Sequence, residues 1–139
     1  MAKVLNSANI NEILAEYQNN DPLASYRVGL ETFHRMPPLM GRGYWREIQL
    51  RPGLQLTLID VKKRHVNRHQ IQHSQSMPLT FSYYLAGRCQ VDNDCFSTPT
   101  VEVSQRSYIY CLPDTAEVEV YQAGDNIRNV RLKVSPELI

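Results

Sequence analysis

From residue 43 onward, apolar side chains recur at every second position, and this period constrains the fold more than any other feature of the chain. Tyr44, Arg46, Ile48 and Leu50 share one face, while Trp45, Glu47, Gln49 and Arg51 share the other. Pro52-Gly53 marks a turn, and Leu54, Leu56 and Leu58 resume the alternation. Leu79, Phe81, Tyr83 and Leu85 form the next apolar face. Val101 and Val103 mark a weak strand, and Tyr108, Tyr110 and Leu112 a strong one closed by Pro113-Asp114. Val118 and Val120 follow. Ala123-Gly124-Asp125-Asn126 reads as a hairpin turn, and Ile127, Val130, Leu132 and Val134 make the last strand. Seven or eight short strands without βαβ alternation predict a two-sheet sandwich, jelly roll or barrel, architectures that hide strand edges by closure.

The first forty residues differ. Ile10, Ile13, Leu14 and Tyr17 make one apolar stripe, predicting a short helix over 9–18 with Asn9 as cap and Glu12 in the capping-box position. Residues 22–42 read as an irregular arm, in which 26–33 fits a strand or a short helix. The chain thus divides into a helix and arm, 1–40, and a β domain, 41–139. Residues 62–75 are polar and basic, with no apolar periodicity.

Composition narrows the function classes. The chain has 139 residues, 15 Lys+Arg against 14 Asp+Glu, a balance too even for bulk-charge nucleic-acid binding. The charge is nevertheless uneven, because residues 42–73 carry seven basic and two acidic side chains. Such a band can attract an anionic ligand or face an acidic partner. No apolar run is long enough for a membrane helix, and the N-terminus lacks a signal peptide's apolar core, so the expectation is one soluble cytoplasmic domain. Cys89, Cys95 and Cys111 are odd in number and lack C-x-x-C spacing. They read as reduced thiols, partly in the core.

No nucleophile-elbow, zinc-protease or P-loop motif occurs, so the chain is not expected to be an enzyme. Two constellations remain. His65, His69 and His73 recur every four residues, a spacing that shares a face on a helix or a strand. Their Arg64 and Arg68 neighbours oppose a metal; the histidines read first as a polar strand or loop lining, and otherwise as a direct ligand contact, through His65 and His69. The alternative is a metal-dependent enzyme using His65, His69 and His73. The second constellation is aromatic. Tyr44, Tyr83, Tyr108 and Tyr110 lie on apolar strand faces, either as core filling or as walls of a ligand cavity. Arg46 shares the Tyr44 face. An arginine pointing into an apolar interior needs a counter-charge, either an internal carboxylate such as Asp60 or a ligand anion.

The sequence GRGYWREIQLRPGLQLTLID at 41–60 resembles the N-terminal regions of AraC-type transcription regulators, in the pyochelin-regulator-like branch that answers to iron-loaded siderophores. PLTFSYYLAG at 78–87, YCLP at 110–113 and VRLKVSPEL at 130–138 resemble the same branch in the same order. The resemblance implies a mainly β, cupin-like barrel holding an effector in its interior, with a short N-terminal helix and a mobile arm. It also implies a homodimer, and DNA contact through a C-terminal helix-turn-helix part that would begin where this chain stops. Iron would enter already chelated, so no intrinsic cofactor is expected. Effector binding would shift the population of arm and dimer arrangements.

Overall fold

The computed structural model describes residues 3–72, 79–111 and 115–138; His73, the Met77-Pro78 breaker, Leu112 and Pro113-Asp114 lie outside them. The described residues form two facing sheets. Strand β1 (Val4–Asn6) leads into helix α1 (Ser7–Asn20), then β2 (Ser25–Val28) and β3 (Glu31–Arg35). The long pair β4 (Gly41–Arg51) and β5 (Leu54–Lys63) follows, then β6 (Val66–Gln72), β7 (Leu79–Ala86), β8 (Arg88–Asn93) and β9 (Thr100–Val103). The chain closes with β10 (Ser107–Tyr110), β11 (Ala116–Tyr121), β12 (Asn126–Val134) and a 3-10 turn, Pro136–Leu138. One sheet has the order β1-β6-β11-β8-β9 and the other β10-β7-β12-β5-β4-β3-β2. All neighbours are antiparallel except β1 with β6. No helix among the described residues is long and apolar enough to cross a membrane.

The β4–β5 turn falls at Pro52-Gly53 as its chemistry requires, and β5 then pairs with β12 over nine residues. Side chains of both sheets meet in a core of Leu5, Ile10, Met36, Met40, Val61, Tyr84, Cys89, Val91 and Ile127. The three cysteines are free thiols, as expected, but only Cys89 is in the core; Cys95 and Cys111 are exposed.

Several local expectations are corrected. The Ala123–Asn126 turn is not a hairpin: β11 and β12 lie in different sheets, and the turn crosses between them. It is anchored on β5, where Gly124 N donates to Lys63 O at 2.8 Å and Lys63 N donates to Asp125 O at 3.2 Å. The arm segment is not irregular throughout, because β2 and β3 form a hairpin that extends the seven-stranded sheet. The polar segment after Lys62 contains β6, a full strand between β1 and β11.

The helix is longer than 9–18, and its cap is Asn6, not Asn9. Asn6 Oδ1 accepts from Asn9 N at 3.0 Å, and Asn9 Oδ1 accepts from Asn6 N at 3.2 Å. Asn at both positions closes the box reciprocally, so the Asn9–Glu12 pairing is not needed. A further bond, Ser7 Oγ accepting from Gln70 N at 2.7 Å, ties the helix start to β6. Asn6→Ala is expected to cost about 1 kcal/mol in urea denaturation; no measurable loss would mean that β1 and Ser7 hold the helix start without the cap.

A domed interior between two sheets

Alternation fixes which side chains enter the space between the sheets. Ile59, Val61 and Lys63 project inward from β5, and Ile127 and Arg131 from β12. Opposite them stand Asn67, His69 and Ile71 of β6, with Glu119 and Tyr121 of β11. Trp45 of β4, Met36 and Met40 add to the lining, as do Ile10 and Leu14 of α1. The cavity between the sheets measures about 320 Å³ and is partly open to solvent. A second hollow of about 290 Å³ lies beyond it, walled by Val91, Glu102, Tyr108, Tyr110 and Glu117. Glu119 belongs to both walls, so the interior is two chambers meeting at one carboxylate.

The polar side chains of the interior are connected. Arg131 Nε donates to Asn129 Oδ1 at 2.8 Å, and its Nη2 donates to Tyr121 Oη at 3.4 Å. Tyr121 Oη donates to Glu119 Oε2 at 3.2 Å. Asn129 Nδ2 in turn donates to Ser82 Oγ at 3.0 Å and to Tyr83 O at 3.2 Å. In the second chamber Tyr84 Oη donates to Glu102 Oε1 at 2.8 Å, and Asn93 Nδ2 donates to Glu117 Oε1 at 3.2 Å. Lys63 Nζ lies 4.9 Å from the centre of the Tyr121 ring.

Burial sets the protonation states. It pushes Glu119 up from the ordinary carboxylate range; Arg131 pulls it back, and Glu117 adds to the upward push. Glu102 is raised by burial too, against the Tyr84 hydrogen bond and Arg131. Burial lowers Lys63 to about 8, and burial together with Lys63 lowers His69, which is therefore neutral at pH 7. Burial raises Tyr110 to about 12 and pushes the Cys89 thiol up, so neither ionises near neutrality.

The residues expected to form the site are only partly brought together. Tyr108 and Tyr110 wall the second chamber and His69 the first. Arg46 does not look inward. Trp45 takes the inner position opposite Ile59, so its neighbours Tyr44 and Arg46 face out. Arg46 pairs there with Glu31 of β3, which holds that carboxyl below its usual range, while Asp60 faces Arg128 at 3.5 Å. Tyr44 stacks on Phe33, and Phe33 on Tyr26, each at 5.1 Å between ring centres, in an outer aromatic ladder. Tyr83 pairs with Val130 on the same outer face. His65 sits half-buried in the turn between β5 and β6. The metal alternative gains nothing: among the described residues, no three His, Cys, Asp or Glu side chains cluster as metal ligands.

The family of the regulatory protein PchR N-terminal domain matches residues 40–139. The chain belongs to that family. As a PchR-type N-terminal domain it is part of a regulatory family, in line with the AraC-type resemblance in its sequence. Among solved structures, the AraC-like transcriptional activator CuxR superposes with TM-score 0.52 at 12% identity, over 78% of this chain and 40% of that one. The Schizosaccharomyces pombe Cnp3 cupin domain gives 0.50 at 8%, over 85% and 74%. A variant of Bacillus subtilis oxalate decarboxylase gives 0.52 at 13%, over 81% and 31%. The chain thus spans less than half the length of the activator and of the decarboxylase. These likenesses show a cupin-like fold. No curated protein matches the chain in sequence. What sequence reasoning missed in this PchR-type domain is the set that furnishes the inner chamber: Lys63, Glu119, Tyr121 and Arg131. For Glu119, Tyr121 and Arg131 the signal was present, since each alternates with an apolar neighbour, but that pattern names two faces without saying which is inner; Lys63, between Lys62 and Arg64, carries no such signal.

Proposed function

We propose that this domain senses an effector bound between its two sheets, and that the effector is an iron-loaded siderophore. The observation that carries the reading is the hollow interior: side chains leave a cavity of about 320 Å³, within the range of small-ligand sites, furnished with one guanidinium, one ammonium and aromatic rings. A ferric siderophore offers aromatic rings and anionic oxygens, which match Trp45, Tyr121, Lys63 and Arg131. Iron stays chelated by the effector, so the protein supplies no ligands to it. Occupancy reaches the N-terminal segment through Ile10 and Leu14, which form part of the cavity wall. A bound effector therefore favours one placement of α1 over others. The role is regulatory rather than enzymatic. DNA contact through a C-terminal part, homodimerisation and a place in the bacterial cytoplasm belong to the same proposal.

The test is a thermal-shift series on the purified domain with ferric siderophores, the same siderophores without iron, and simple sugars. Iron-loaded siderophores alone are expected to raise Tm, by an amount equivalent to about 2.7 kcal/mol at a hundred times Kd. A shift with sugars alone, or with none of the three, overturns the reading.

A further inference from the structure

Three cations line the space between the sheets, and they are not equivalent. Arg131 already donates to Asn129 and Tyr121 and lies beside Glu119. Lys133 lines neither hollow. Lys63 alone points its ammonium into the inner chamber with no carboxylate at salt-bridge distance among the described residues; its Nζ lies over the Tyr121 ring, and Glu119 acts on it only through space. An unpaired ammonium among Met36, Val61 and Ile127 is costly to bury, and an anion brought by a ligand removes that cost.

We propose that Lys63 is the anion seat of the inner chamber, and that the chamber takes a compact ring-bearing monoanion, with its ring beside Trp45 and its charged oxygen on Nζ. This rests on the effector-sensing reading and names the chemistry of that effector's buried end. A neutral sugar would leave most of its hydroxyls facing Ile10, Leu14, Ile59 and Ile127 without partners. A polyanion would meet Glu119 across the same space. The titratable groups facing Lys63 are Cys89 of β8, His69 of β6, Glu119 and Tyr121 of β11, and Arg131 of β12; α1 contributes Ile10 and Leu14. Burial lowers the Lys63 ammonium to about 8, while burial raises Tyr121, Cys89 and the Glu119 carboxyl and lowers His69.

Trp45 is the only tryptophan and lines the chamber, so its emission reports occupancy. The probes are benzoate and its neutral isostere benzamide, titrated from pH 7 to 9.5. Benzoate stays ionised over this range, so its affinity follows Lys63. It is expected to weaken by about thirtyfold as the ammonium is lost, while benzamide is unchanged. Lys63→Met should weaken benzoate at least tenfold at pH 7, spare benzamide, and melt no lower than the parent, since it removes a buried charge. Lys63→Arg should bind benzoate with a flat pH profile. A flat profile in the parent protein, undiminished benzoate binding by Lys63→Met, or no benzoate binding at millimolar concentration overturns the proposal. The two readings fail separately. If Lys63 is not the seat, ferric siderophores still raise Tm while benzoate ignores Lys63; if effector sensing is wrong, the siderophore shift is absent while benzoate still tracks Lys63.

Discussion

Arg131→Met is expected to lower the unfolding free energy by about 3–5 kcal/mol at pH 7, the usual cost of removing one partner from a buried charge network. Asn129 Oδ1 and Tyr121 Oη would each lose a donor. The larger loss is electrostatic. Arg131 is the charge that pulls Glu119 down against burial, and Glu117 pushes the other way. Without the guanidinium, the Glu119 carboxyl rises further in the folded state. A carboxyl whose folded pKa is raised contributes stability that is complete below its unfolded value, near 4.5, and is lost as pH climbs through the folded value. The deficit of Arg131→Met should therefore be smallest in mild acid and largest at neutral pH. Adding Glu119→Gln, which removes the stranded charge, should recover a substantial part of the loss at pH 7 and flatten the pH dependence. Urea denaturation from pH 4.5 to 7.5 measures both. A single variant within 1 kcal/mol of the parent at pH 7 would falsify the account of Arg131 as the interior counter-charge.

Strand positions were legible in the sequence wherever the two faces of a strand differ chemically, as in β4, β5, β7, β10, β11 and β12. What alternation does not carry is the direction of each face. In a solid sandwich the apolar face goes in, and that assumption places Tyr44, Arg46 and Tyr83 inside. Here Leu56, Leu58, Val130 and Leu132 share the outer face with them, and Ile109 on that face is 66% exposed. Among the inner positions opposite, Lys63 and Arg131 are polar and border the cavity, while Thr57 and Asn129 are polar and buried, Asn129 hydrogen-bonded to Ser82, Tyr83 and Arg131. The requirement that an inward arginine find a counter-charge does hold, but Arg131 is the residue that meets it.

Strand β6 was illegible for a related reason. Its outer residues Arg68 and Gln70 face solvent, and its inner residues Asn67 and His69 face the interior, so neither face is an apolar stripe. The three-residue β1 and four-residue β2 are too short to show a period. Helix α1 was visible from its stripe of Ile10, Ile13 and Leu14. Its start was misplaced because asparagine occurs both at the cap and three residues later. Even the crossing turn at Gly124 is correctly marked by its residues; turn chemistry says that the chain reverses and not which sheet it joins.

Gly43→Ala is expected to be about as damaging as loss of Arg131, although it adds one methyl group. Gly43 has φ +108°, where an L-residue is strained, and a Cβ built there would lie 2.2 Å from the Asp60 carbonyl oxygen. The obstacle is backbone, so no rotamer change relieves it. Strand β4 would have to lift from β5 next to the Gly43–Val61 pair, and Met36 N, which donates to Gly43 O at 2.8 Å, would move with it. Strain of about 1–3 kcal/mol adds to a similar cost for overpacking, giving a total of about 2–6 kcal/mol. Gly124 supplies the control. Its φ is +83°, yet nothing lies within 4 Å of a Cβ there, so Gly124→Ala should show strain alone and lose about 1–2 kcal/mol. Trp45 lies two residues beyond Gly43 on the cavity wall. Gly43→Ala should therefore also shift the emission of the folded protein, and Gly124→Ala should not. Equal losses for the two variants in urea denaturation would mean that positive φ, and not the approach of β4 to β5, makes glycine necessary at residue 43.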